Sequence, residues 1–71
     1  MNRQNELQHL WRADAGITEA RDRVLRQMEL INRLEARGHD VSAAKSVLLT
    51  MRDSVRLMED HRAMIIRELA R

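Results

Sequence analysis

A chain of 71 residues supports one domain, and this one carries no proline, no cysteine and two glycines. Its common residues are strong helix formers, and the lack of cysteine excludes a disulfide framework, thiolate chemistry and cysteine-based zinc sites. The formal net charge is +2, with every basic residue except Lys45 an arginine; acids nearly balance the cations, so the surface is mixed rather than cationic.

The first predicted element is a helix from about residue 5 to Arg37, with Asn2 as an alternative start to Asn5. Its apolar stripe is Leu10, Ile17, Val24 and Ile31, with Ala13, Ala20 and Leu34 at the companion positions and Gln27 as the polar exception. Leu7 and Met28 widen it. Steps of three and four residues keep all of these on one side of an α-helix. Gly16 falls inside the helix, where glycine costs ~1 kcal/mol against alanine.

The helix stops at Arg37-Gly38-His39-Asp40. Gly38 suits the left-handed residue that follows a helix end. Asp40 suits the N-cap of a second helix, because its carboxylate can accept from free backbone N–H groups. Arg33 and Arg37 before the break agree with the negative end of the first helix dipole. Stop and start signals this close leave a turn at residues 38–40, and a short turn makes long helices antiparallel neighbours.

The second predicted helix runs from Val41 to about Ala70. Its seam is Val41, Ala44, Leu48, Met51, Val55, Met58, Arg62, Ile65 and Leu69, an unbroken alternation of three- and four-residue steps. A hairpin turning near His39 sets Ile31 opposite Leu48, Val24 opposite Val55 and Leu10 opposite Leu69. The same register puts Arg62 beside Ile17 and near Asp14, which predicts an Asp14–Arg62 ion pair. Trp11 is expected near Ile66 and Leu69.

Apolar residues also lie off the seam: Leu25, Leu30, Val47, Leu57, Met64 and Ile66. Val47 and Ile66 flank the seam, and Leu57 and Met64 form a narrower strip one heptad long. Two packed helices shield one side of each other, so the predicted fold is all-α: an antiparallel two-helix hairpin that dimerises into a four-helix bundle. Leu57, Met64 and Ile66 are the candidate partner contacts. A helix supplied by another protein would bury the same face.

Little in the chain points to chemistry. His9, His39 and His61 show no His-x-x-x-His spacing, and neither a metal nor a cofactor is expected. There is no glycine-rich phosphate loop and no nucleophile motif, so catalysis is not expected. Glu19–Arg23, Asp22–Arg26 and Glu29–Arg33 read as solvated i,i+4 pairs with the acid first. The alternative to an interaction module is a small arginine-rich RNA- or DNA-binding regulator, carried by Arg26, Arg33 and Arg37 on one helix and Arg52 and Arg56 on the other. No apolar run is long enough to span a bilayer, interleaved acids argue against a membrane surface, and the expected location is the cytoplasm.

The run Ile31-Asn32-Arg33-Leu34-Glu35-Ala36-Arg37-Gly38-His39-Asp40, followed by Ala44 and Leu48-Leu49, resembles a group of short bacterial proteins, chiefly alphaproteobacterial. Their shared pattern is an Ile-x-x-Leu ending, Gly-His-Asp, then an Ala and a Leu-Leu pair; Leu57, Arg62 and Ile66 also match. The resemblance covers about residues 17–69 and implies a helical hairpin, but the group has no known function to transfer. Its members often carry an acid that completes a capping box after the Asp; Ala43 stands there in this chain, which implies a weaker cap.

Overall fold

With no proline and few glycines, nothing interrupts either apolar periodicity. In the computed structural model, which describes residues 3–71, α1 spans Arg3–Ala36 and α2 spans Ser42–Leu69. Asn2 lies outside the described residues, and Asn5 is already inside α1. The other three boundaries fall one residue inside the expected ones. At 1.5 Å per residue a helix the length of α1 is ~51 Å long, and the molecule measures 54 × 15 × 12 Å, as two helices side by side require.

The turn follows from Gly38. Its φ of 74° is the left-handed conformation that side chains with a Cβ rarely adopt. The Gly38 N–H donates to the Glu35 carbonyl and the His39 N–H to the Leu34 carbonyl, each at 3.0 Å. That paired arrangement satisfies two of the carbonyls a helix end leaves open.

Asp40 acts one residue earlier than expected. The N-cap position is Val41, which has no side-chain acceptor. The Asp40 carboxylate instead accepts from the Ser42 backbone N–H at 2.9 Å and from the Ser42 hydroxyl at 2.7 Å. Asp and Ser both favour helix starts, and two such residues flanking Val41 moved the boundary. These bonds hold the Asp40 carboxyl below its ordinary value of 3.8.

Cross-helix contacts show the helices to be antiparallel. Arg3 donates to the Leu69 carbonyl at 3.2 Å, Arg62 pairs with Asp14, and Arg21 pairs with Glu59. Gln27, the polar member of the first stripe, donates across the seam to the Ala44 carbonyl at 2.9 Å. The antiparallel pairing and the Asp14–Arg62 contact hold, while Gly16–Met58 and Gln27–Ala44 meet several residues away from the expected register.

Two cylinders touch along a line, and the core is correspondingly thin. Ile17, Ile31 and Ile65 are its buried hydrophobic residues. Leu10, Val24, Leu34, Val41, Ala44, Leu48, Met51, Val55, Met58 and Leu69 are half-buried along the seam, as their spacing requires. Met28 departs from the expected seam: it is 38% exposed, because neighbouring Gln27 takes the inward position and leaves Met28 about 100° further round. Its sulfur lies 3.7 Å from the Arg52 guanidinium. Trp11, expected against Ile66 and Leu69, stands in solvent for the same reason, one residue past half-buried Leu10.

Candidate interaction surface

Each helix carries two lines of residues that flank the seam, and the hairpin therefore has two flanks. On the first, Asp14 and Arg21 of α1 meet Arg62 and Glu59 of α2. These two cross-helix ion pairs lie over buried Ile17. Toward the turn the same flank continues as Met28 and Asn32 beside Leu49 and Arg52.

The second flank is a groove of about 520 Å³, with Gly16, Ala20 and Arg23 on one wall and Val47, Ser54 and Met58 on the other. Small residues open it. A Cβ added at Gly16 would sit 3.0 Å from the terminal methyl of Met58, so the glycine lets that methionine lie against the α1 backbone. Thr50 of α2 also lines the groove, and its hydroxyl turns back to the Ser46 carbonyl at 3.3 Å.

Steps of three and four extend the α2 wall from Ala43 through Val47, Thr50, Ser54, Leu57 and His61 to Met64. No Asp, Glu, Lys or Arg occurs at those positions, although 34% of the chain is charged. A helix face turned to water ordinarily carries charge. The α1 wall extends in the same way through Arg12, Gly16, Glu19, Arg23, Arg26, Leu30 and Arg33, and it is predominantly basic. The two walls thus differ in charge as well as in size.

The candidate contacts do not form one patch. Leu57 and Met64 are exposed and lie on the groove flank. Ile66 follows Met64 by two residues, about 200° around the helix, and lies on the bridged flank beside Asp14 and Arg62. Val47, exposed and on the groove wall, takes its place in the strip. Of the three expected i,i+4 pairs, Asp22–Arg26 closes at 3.1 Å among the described residues.

Set against protein-family models, curated proteins and solved structures, the chain matches none.

The burial of Glu6 was not expected from the sequence. It is buried, with the ring of His9 3.8 Å away. The signal was present: Glu6 lies one heptad before Ala13 and so continues the seam. Glu6 and His9 also have the Glu-x-x-His spacing used for metals in helical bundles; among the described residues, no third ligand joins them. No helix among the described residues is long and apolar enough to cross a membrane.

Proposed function

We propose that this chain is a non-catalytic interaction or regulatory module of the cytoplasm that works by self-association, two hairpins completing one four-helix bundle. The supporting observation is the mismatch between buried and exposed apolar groups. Three isoleucines are buried, while Trp11, Leu25, Leu49, Leu57 and Met64 are each more than half exposed. Burial of apolar surface is the main favourable term in folding, at about 25 cal/mol per Å². A second layer of helices supplies what one line of contact lacks.

The test is solution mass by light scattering over a dilution series, with circular dichroism on the same samples. The proposal expects a dimer whose helicity falls as it dissociates. A fully helical monomer at every concentration refutes it. A poorly helical monomer transfers the missing layer to a different protein.

A second reading has its own support in the arginines exposed along α1, Arg12, Arg23, Arg26 and Arg33. An RNA- or DNA-binding regulator would show affinity falling steeply with salt, as displaced counterions require. Association through an apolar flank responds weakly to salt, and the same titration separates the two readings.

A further inference from the structure

We infer that the partner seated on the groove flank is a second copy of this chain, in a parallel arrangement: α1 of each hairpin lies over α2 of the other, and both turns are at the same end. The inference rests on the self-association proposed above and specifies its surface and geometry.

The choice of flank comes from continuity. On the groove flank, uncharged residues run along α2 from Ala43 to Met64 without a break. On the other flank the apolar residues divide into two ends, Leu25, Met28 and Leu49 near the turn and Trp11 and Ile66 near the termini. The ion pairs Asp14–Arg62 and Arg21–Glu59 occupy the stretch between them. Covering that stretch would take four paired charges out of water, which costs more than covering the uncharged wall of α2.

The choice of arrangement comes from charge. Two groove flanks can meet about a twofold axis in two ways. With the turns at opposite ends, α1 faces α1, and the wall of Arg12, Arg23, Arg26 and Arg33 on one copy meets the same wall of the other, with Glu19 on it and Asp22 bonded to Arg26 to offset part of the charge. With the turns at the same end, each basic wall faces the uncharged wall of the other copy. Just beyond that uncharged wall α2 carries Asp53 and Asp60.

Heights along the hairpin also agree. Asp14 meets Arg62 and Gly16 meets Met58, which places Asp60 about one helical turn from the height of Arg12. The parallel arrangement preserves height, so Arg12 of one copy comes within side-chain reach of Asp60 of the other. Among the described residues Arg12, Asp53 and Asp60 have no ion-pair partner within the hairpin.

The chain's lack of cysteine makes crosslinking a clean test. Under oxidation, His39→Cys should form a disulfide-linked dimer, because the two turns are neighbours. A mixture of His39→Cys and Arg71→Cys chains should give no 39–71 crosslink. A dominant 39–71 crosslink overturns the parallel arrangement while leaving self-association intact. A monomeric mass instead removes the proposal beneath it.

The flank is tested separately with two leucines of matched exposure, Leu57 at 69% and Leu49 at 63%, each standing largely in solvent on its own flank. Leu57→Glu should weaken dimerisation about tenfold or more, and Leu49→Glu should not. The reverse result assigns the interface to the bridged flank. Arg12→Asp should weaken the dimer about two- to fivefold, with Asp60→Arg in the same chain restoring it. Absence of rescue rejects that pairing and the charge argument with it.

Discussion

The two flanks are made from the same pair of helices, yet one is closed and the other open. On the bridged flank the seam is backed by isoleucine, Ile17 below the ion pairs and Ile31 below Met28 and Leu49. On the groove flank it is backed by half-buried Met51 and Met58, with Gly16 and Ala20 opposite. Branched side chains with few rotamers fix a contact, whereas methionine fills irregular space and adapts. The difference indicates that the hairpin's own register is set along the bridged flank, and the other side is the one that the proposed dimer would cover.

The largest effect is expected from Ile17→Ala. Ile17 is 4% exposed, and truncating a buried isoleucine costs about 2–4 kcal/mol. Met58→Ala should cost roughly 1–2 kcal/mol in the dissociated hairpin, since that side chain is half-buried rather than fully enclosed. Urea denaturation at low protein concentration measures both. Equal losses would mean that the two flanks are equally well packed, and the comparison would fail. A Met58→Ala loss that grows with concentration would show the groove being covered on association.

Next in size is the polar lock of the bridged flank. Asp14 and Arg62 are each about half exposed, so the pair is worth about 0.5–1 kcal/mol, and Asp14→Ala should cost that much. Asp22→Ala removes an i,i+4 pair on an exposed face and should cost less than about 0.5 kcal/mol. Thermal melts at low salt resolve the two. If both substitutions shift the midpoint equally, Arg62 contributes to the register no more than a surface arginine does.

Such pairs also mark what the sequence made legible. The seam was readable because three- and four-residue steps leave one geometric solution, and the turn because Gly38 sits between two unbroken periodicities. Asp14–Arg62 was readable because an antiparallel register fixes which residues share a height. Met28 was not, since a residue at the stripe's edge turns inward or outward according to its neighbour, and Gln27 found a carbonyl across the seam. The groove was hidden for a different reason. It arises where small residues of α1 meet methionines of α2, and neither half is unusual until the other is beside it. Ile66 was grouped with Leu57 and Met64 by composition, although helical geometry separates them.

A smaller effect probes the groove floor. Gly16→Ala gains helix propensity, worth up to about 1 kcal/mol, and the new Cβ meets only the far end of a flexible methionine. The expected net result is a slight stabilisation of the hairpin, read as a higher urea midpoint. A loss would mean that Met58 cannot move aside, making the groove flank as rigid as the bridged one.

The smallest effect lies at the turn, which holds both flanks in one register. Hydrogen bonds from the Ser42 backbone N–H and then from its hydroxyl lower the Asp40 pKa from 3.8. A depressed carboxylate pKa means that the folded state binds its proton less readily than the unfolded chain does. Its stabilisation is therefore complete above pH 3.8 and is lost as the pH falls through the lower folded value. Asp40→Asn keeps an acceptor for the Ser42 N–H but cannot ionise. The Ser42 amide resonance should titrate in acid in the parent chain and lose that inflection in the variant. A Ser42 inflection that survives the substitution would assign it to another carboxylate and leave the start of α2 indifferent to the charge on Asp40.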